Sequence, residues 1–404
     1  MDKWKRNTAL FLISQTISLF GSALVQYAIM WHITLETQSG IMMTISIICG
    51  FLPTFFLSPF AGVWADRYNR KILIVLSDGL IATATLILAI LFFMGYDAIW
   101  MLFFASFIRA LGTSIQTPSV SAILPQMVPE DKLTKINATN SSIQSVVTLI
   151  SPMISGAMLS LADIEMIFLV DVVTALIAIL ILLLFLQIQP HNKALEKQTT
   201  TYFKDMAEGF NYINSHEFLK TFFIFIAMFQ FLLSPAAFLT PLQVTRSFGN
   251  DVWRLTAIEI TFSIGMMAGG VMMAAWGGFK NRNHSMAFSG FVVGVCTLAL
   301  GIVPDFWIYI MFMCIFGMVV PIFNTTSLVL IQEKVEGDFL GRVFSIMSMI
   351  GSITMPVGML VFGPLSDRIK IEYLLIGTGL YMFVHSFFIM KNKILLEAGK
   401  QIEK

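Results

Sequence analysis

Long apolar stretches alternate with short polar segments along the whole chain. A helix that crosses a membrane needs about 20 predominantly apolar residues, and the sequence contains twelve such runs. They lie near 7–34, 41–64, 72–95, 98–122, 137–160, 164–187, 217–243, 253–276, 284–303, 307–331, 340–363 and 371–390. The pattern predicts an all-α polytopic membrane protein, with twelve transmembrane helices arranged as two six-helix bundles.

Composition agrees with a chain that lies in the lipid bilayer. Of 404 residues, 57% are hydrophobic and 12% are charged, whereas an ordinary soluble domain has about 25% charged residues. The net charge of +1 does not favour a nucleic-acid partner. Cys49, Cys296 and Cys314 all lie in apolar runs, so we expect neither a disulfide framework nor a metal site, and no cofactor.

The basic residues predict the orientation of the chain. Twenty of the 25 Lys and Arg residues lie in segments that share one side of the membrane with the N-terminus. Four lie in or beside the opposite loops, and Arg109 alone lies in the middle of a span. Because cytosolic loops carry the excess of positive charge, we expect both termini to be cytosolic.

The longest polar segment, 188–216, separates the sixth span from the seventh. Its second half places Tyr202, Phe203, Met206, Phe210 and Ile213 at helical spacing, which predicts an amphipathic helix on the inner membrane face. The expected domains are therefore an N-terminal bundle (1–187), this linker, a C-terminal bundle (217–391) and a cytosolic tail (392–404). Similar stretches at 128–135 and 335–342 indicate that the two halves are related repeats.

A polar turn joins the second and third spans. It reads Gly62-Val-Trp-Ala-Asp66-Arg67-Tyr68-Asn69-Arg70-Lys71, and we call it the latch. Gly62 is expected to admit a neighbouring helix closely, and Asp66 lies where an apolar helix ends. The three bases are expected to hold the turn in the cytosol. The alternative interpretation is a charge cluster that sets topology and has no moving part.

The spacing Gly-x-x-x-Asp-Arg-x-x-Arg-Lys resembles the loop signature of the major facilitator superfamily. That signature usually has Gly where this chain has Asn69, and Asn is a residue that tolerates the left-handed backbone expected there. A second copy of the core at 363–368 ends the eleventh span on the outer face by count. The expected counterpart of the latch is therefore 276–282, which keeps glycines and bases but lacks the acid.

Arg109 lies in the middle of the fourth span, where an arginine costs about 2.5–3.5 kcal/mol. It therefore needs a partner or a hydrated cavity. The resemblance implies a coupling role, because an arginine followed by a glycine in span four recurs in drug/proton antiporters of this superfamily. The usual spacing to that glycine is four residues, whereas Gly112 is three residues away. The alternative is a structural arginine bound by backbone carbonyls near Pro118.

Three acids lie inside apolar spans. Glu259, in span eight, belongs to a helix that faces the central cavity in facilitator folds, so it is a second candidate for proton coupling. It could equally be an interfacial glutamate near the outer headgroups. Asp78 and Asp171 lie in spans that are peripheral in that fold. We expect Asp78 to pair with the nearby bases of the latch and Asp171 to fix helix packing.

The first span carries one polar stripe. Gln15, Ser18, Ser22 and Gln26 recur three to four residues apart on an otherwise apolar helix. The stripe is a candidate wall for a hydrated cavity. It could equally supply hydrogen bonds between helices.

Over nearly its whole length the chain is similar to the twelve-span drug-efflux branch of this superfamily, which contains bacterial macrolide-efflux proteins. The stretches that carry this similarity include 50–53, 109–113, 128–134, 258–260, 265–270 and 340–345. The resemblance implies a bacterial cell-membrane exporter, active as a monomer and not an enzyme. It would expel hydrophobic or amphipathic compounds, including macrolides, in exchange for protons. Two alternatives stay open, a lipid or siderophore exporter and a non-transporting membrane sensor or partner subunit.

Overall fold

The computed structural model describes residues 3–186 and 202–400. These ranges form fifteen α-helices, with one isolated β-bridge between Asn281 and Lys400. The helices are α1 (Lys3–Thr37), α2 (Gly40–Arg67), α3 (Arg70–Phe93), α4 (Ile99–Met127), α5 (Glu130–Leu161), α6 (Ile164–Phe185), α7 (Tyr202–Ser215), α8 (Glu217–Phe238), α9 (Thr240–Phe248), α10 (Val252–Trp276), α11 (Arg282–Leu300), α12 (Phe306–Lys334), α13 (Gly337–Ser366), α14 (Ile371–Lys391) and α15 (Lys393–Ala398).

Twelve segments of the described chain are long and apolar enough to cross a membrane, which confirms the predicted all-α membrane fold. Eleven of them are single helices, and α8 and α9 together form the remaining one. This span breaks at Leu239, between Pro235 and Pro241. Pro241 has no backbone donor for α8 and lies in the first turn of α9, where a proline is tolerated, so the local sequence favours a break here.

The chain divides into two compact units. Unit 1 comprises Met1–Glu36 and Ile45–Gln198, and unit 2 comprises Thr37–Thr44 and Thr199–Lys404. The connection between α1 and α2 therefore belongs to unit 2, although the remaining parts of both helices belong to unit 1.

Each unit has its own packed core. In unit 1, α3 packs against α4 and α6, and buried side chains such as Phe11, Ile74 and Ile123 form one apolar cluster. In unit 2, α10 packs against α12, and a Cβ added at Gly265 or Gly269 would overlap backbone atoms of α12. Small residues thus let these two backbones approach closely, as is usual between membrane helices.

Helix α7 lies inside the predicted linker and packs against α13. The ring of Tyr212 stacks on Phe339 with centroids 4.2 Å apart, and Arg342 forms an ion pair of 3.1 Å with Glu208. The first part of the linker lies outside the described residues. The amphipathic face of α7 is thus partly covered by protein, because Tyr212 and Ile213 are buried.

Candidate functional site

A buried ion pair lies at the centre of unit 1. Arg109 of α4 binds the carboxylate of Asp171 of α6, and the two side chains are 10% and 0% exposed. The same guanidinium donates to the Thr85 hydroxyl of α3 and, over 3.1 Å, to the Ser22 carbonyl oxygen of α1. We call these four residues the Arg109 network. It joins four helices through one cation.

The Asp171 carboxylate is satisfied on both oxygens. Besides Arg109, it accepts hydrogen bonds from Thr85 at 2.9 Å and from Ser22 at 3.2 Å. Breaking such a buried pair by removing one partner typically costs about 3–5 kcal/mol, because the other charge is left uncompensated. Arg109 therefore has the partner that its position in a span requires, and that partner is a carboxylate as well as a backbone carbonyl.

Asp78 of α3 is only 2% exposed, and its environment differs from that of Asp171. One carboxylate oxygen accepts hydrogen bonds from Ser18 of α1, at 3.2 Å, and from Gln116 of α4, at 2.6 Å. The other oxygen has no hydrogen-bond partner among the described residues. The predicted pairing of Asp78 with the latch bases is wrong, because its hydrogen bonds in the described chain come from Ser18 and Gln116 and no latch base reaches it.

The polar stripe of α1 is divided between these two acids. Ser18 bonds to Asp78, and Ser22 bonds to Asp171. Gln15 is buried, and its amide nitrogen has no hydrogen-bond partner in the described chain, while Gln26 is exposed. Two members of the stripe thus form hydrogen bonds between helices.

Two bases of the latch bind backbone carbonyls of neighbouring helices in unit 1. Arg70 donates to the carbonyl oxygens of Ala65 and Ala122, both at 2.8 Å, and Lys71 donates to that of Leu186 at 2.7 Å. The carbonyls of Ala65 and Leu186 lie at the C-terminal ends of α2 and α6, where the helix dipole is negative and carbonyls lack helical partners, whereas Ala122 lies inside α4. The two bases therefore join α2, α4 and α6, while Arg67 is exposed.

One expectation about the latch is wrong. Asn69 has φ −65° and ψ 110°, an extended backbone, and its side chain accepts hydrogen bonds from the amides of Lys71 and Ile72. It is the N-cap of α3 and not a left-handed turn residue, and asparagine is a preferred residue at this position. A Cβ added at Gly62 would meet no described atom within 4 Å, so the close helix approach expected at this glycine stays a prediction. The side chain of Asp66 lies outside what the structure describes.

The second copy of the motif forms a dense contact in unit 2. Its acid, Asp367, follows α13 and accepts hydrogen bonds from the first turn of α2: from Ser39 Oγ at 2.8 Å, Gly40 N at 2.7 Å and Ile41 N at 3.0 Å. Arg246 of α9 forms an ion pair of 2.8 Å with the same carboxylate. We call these five residues the Asp367 clamp. Sequence reasoning noted this motif and did not assign it a role.

The backbone around the Asp367 clamp is adapted to it. Arg246 also donates to the carbonyl oxygens of Gln38 and Ser366, and Gln38 has φ 46°, in the left-handed region. A Cβ added at Gly363 would overlap Thr44 of α2, so the glycine of this copy does permit a close helix approach.

Burial raises the pKa of Asp367, but the four hydrogen bonds outweigh this effect and leave the pKa below its ordinary value. A cavity of about 730 Å³ opens beside the clamp.

The predicted counterpart of the latch, 276–282, also finds an acid, although from another helix. Gly277 and Gly278 have φ 74° and 85°, so they form the left-handed turn that ends α10. Arg282 donates to the Gly277 carbonyl oxygen at 2.9 Å and pairs with Glu333 of α12 at 3.4 Å. The missing acid of this segment is thus supplied by α12.

Glu259 lies on α10 and is partly buried. No hydrogen bond or ion pair from the described residues reaches its carboxylate, in contrast to Asp171. It belongs to unit 2 and Arg109 belongs to unit 1, so the two coupling candidates lie in different units.

Groups of three or more side chains able to hold a metal ion are absent from the described part of the chain.

Comparisons with known proteins give both a family and a fold. Residues 9–359 match the Major Facilitator Superfamily. The chain is 30% identical over 381 residues to Macrolide efflux protein A of Streptococcus pyogenes, covering 93% of this chain and 94% of that protein. It is 23% identical to the Staphyloferrin A transporter of Staphylococcus aureus, over 96% of this chain and 98% of that one.

Among solved structures, the nucleoside transporter NupG superimposes with a TM-score of 0.74. The match covers 95% of this chain and 98% of NupG, at 13% sequence identity. At this identity the likeness concerns the fold alone.

Proposed function

Because the chain belongs to the Major Facilitator Superfamily, we propose that it is a secondary active exporter of hydrophobic or amphipathic compounds, macrolides among them, which exchanges substrate for protons by alternating access. The observation that carries this proposal is the 30% identity to Macrolide efflux protein A over 93% of the chain. The family and its relatives are transporters, so the chain is a multi-pass membrane transporter. We place both termini in the bacterial cytosol, from the distribution of the basic residues.

The contacts of the buried charges support proton coupling. Arg109 is held by Asp171, so the coupling step we propose alters the Arg109 network when a proton or substrate binds. Glu259 has no partner among the described residues, and a carboxylate without a cation in a low-dielectric site takes up a proton readily. In this scheme, Asp66 of the latch braces the cytosolic gate, and the protein works as a monomer.

Transport in everted vesicles tests the exchange. Vesicles that contain the chain are energised so that their lumen becomes acidic, which quenches a pH-sensitive dye, and erythromycin is then added as the probe macrolide. Exchange releases the quench, because protons leave as the substrate enters. Vesicles that lack the chain are the control. A dye signal that stays unchanged over a broad set of amphipathic compounds would refute the proposal.

Drug susceptibility provides the matching test in cells. A pump-deficient bacterial host that expresses the chain should tolerate more macrolide than the same host with the Arg109→Ala variant at equal membrane abundance. Equal tolerance of the two would argue against a role for the Arg109 network in export.

A siderophore exporter is the second candidate, favoured by the 23% identity to the Staphyloferrin A transporter. A lipid exporter would share the same mechanism. Both differ from the proposal only in the compound that releases the dye quench.

A sensor or partner-binding subunit would instead depend on the linker at 188–216. Because α7 packs against α13, only 188–201 should be replaced by an unrelated polar spacer, which should abolish function in a sensor and largely preserve it in a transporter.

A further inference from the structure

Asp78 is a buried acid for which the Arg109 network supplies no cation. Arg109 directs its donors to Asp171, Thr85 and Ser22, and none of its hydrogen bonds reaches Asp78. Arg70 and Lys71, two turns earlier on α3, bind carbonyl oxygens at the helix ends. An ionised carboxylate in this position would be an uncompensated charge in a low-dielectric interior, which is costly enough that such groups take up a proton instead.

The hydrogen bonds around Asp78 leave one oxygen for that proton. Oδ1 accepts from Ser18 and Gln116, at 3.2 and 2.6 Å, whereas Oδ2 is buried without a partner among the described residues. One turn away on the same face of α1, the Gln15 amide nitrogen is also buried without a partner. A buried carboxylate oxygen without a partner indicates a place where a proton or a water molecule completes the bonding.

The other charges that face Asp78 come from two helices. Asp171 of α6 acts on it electrostatically, and Arg109 of α4 neutralises Asp171 through the buried ion pair. The residues that α1 presents to Asp78 are uncharged. Any change that loosens the pair between Arg109 and Asp171 would therefore alter the charge that Asp78 senses, which links its proton to the Arg109 network.

We infer that Asp78 is a proton-binding residue of the transport cycle, carrying the exchanged proton on Oδ2. The inference rests on the proposed function. In one half of the cycle the carboxylate takes a proton from the outer medium as substrate leaves, and in the other half it releases that proton to the cytosol as the next substrate binds. The step is a reversible proton transfer, so no other bond forms or breaks.

Asp78→Asn is the decisive substitution, because asparagine keeps the acceptor oxygen that Ser18 and Gln116 use and cannot bind or release a proton. A purely structural Asp78 therefore predicts normal behaviour of this variant. Asp163→Asn, at an exposed position before α6, is the matched control in the same unit.

Two transport assays in proteoliposomes separate the possibilities, with labelled erythromycin as the probe. The first measures proton release driven by erythromycin, and the second measures exchange of erythromycin for erythromycin without a pH gradient. We expect Asp78→Asn to lose the proton signal to the level of protein-free liposomes and to keep exchange, while Asp163→Asn keeps both. Retention of the proton signal by Asp78→Asn overturns the inference, and so does the loss of exchange in protein with an unchanged melting temperature.

A second measurement on the unmodified protein covers the case in which the variant does not fold. Dicyclohexylcarbodiimide is an apolar reagent that modifies protonated carboxyl groups, and mass spectrometry locates the modified residue. Modification of Asp78 that declines as the pH rises supports the inference, and no modification at any pH overturns it. If the wild-type protein shows no proton release with any substrate, the proposed antiport itself has failed, and this inference fails with it.

Discussion

The Asp367 clamp allows a sharp test of how the connection between α1 and α2 is held in unit 2. Asp367→Asn keeps the size of the side chain and replaces one carboxylate oxygen by an amide group that cannot accept. Gly40 and Arg246 donate to Oδ1, whereas Ser39 and Ile41 donate to Oδ2. Whichever way the amide is oriented, one of these two pairs of donors loses its acceptor.

The size of the effect follows from these contacts. A hydrogen bond to a charged group contributes about 1.5–3 kcal/mol, so two fully buried bonds would contribute about 3–6 kcal/mol. The Asp367 side chain is 21% exposed, and solvent weakens ion pairs of this kind, so we expect about 2 kcal/mol to be lost. A loss of 2 kcal/mol corresponds to a roughly 30-fold change in an equilibrium constant.

Hydrogen exchange measured by mass spectrometry reads this change at the residues concerned. Peptides that cover 37–44 should exchange roughly 30-fold faster in Asp367→Asn, because the Gly40 and Ile41 amides are those that the carboxylate protects. Asp251→Asn is the control, since Asp251 is 53% exposed and pairs with Arg254 at 2.6 Å in the same unit. Unchanged protection at 37–44 in Asp367→Asn would refute the reasoning, as would an equal loss in the control.

The pH dependence of the same peptides has a defined sign. The folded-state pKa of Asp367 lies below its ordinary value, which is about 3.9 in an unfolded chain. The clamp therefore contributes its full stability above about pH 4 and loses it as the pH falls through the folded-state pKa. The exchange difference between wild type and Asp367→Asn should persist at neutral pH and close in acid.

Three further substitutions test the packing inside the units. Asp171→Asn leaves Arg109 without its counter-charge, so the free energy of unfolding should fall by about 3–5 kcal/mol, seen as a lower melting temperature in detergent. A loss below about 1 kcal/mol would contradict a buried pair. Gly269→Val should impair folding, because the valine side chain would overlap the α12 backbone. Gly270→Val should be tolerated, because a Cβ there meets no described atom within 4 Å. Equal yields of folded protein from the two variants would contradict this packing. Asn69→Ala should cost about 1 kcal/mol through the lost N-cap of α3, measured by thermal unfolding, and unchanged stability would argue against the cap.

The local sequence decided the elements of this protein. Apolar runs of membrane length predict twelve spans because a helix is the only way for a single segment to satisfy its backbone in lipid, and the structure contains them. Pro241 favours a helix break beside Leu239, and the glycines at 277–278 allow the left-handed turn that ends α10. The need of Arg109 for a partner was equally local, because it follows from one charge in an apolar span.

The partners themselves were decided only by tertiary structure. Arg109 and Asp171 are 62 positions apart. The periodicity of one helix predicts which of its faces is polar, but it does not predict which residues of another helix that face will contact. For the same reason the two copies of one motif have opposite properties. A Cβ at Gly62 meets no described atom, whereas one at Gly363 meets α2, and Asp367 binds a helix start more than 320 positions away in the chain. A short motif sets which groups are available, and the packing of distant helices sets what those groups bind.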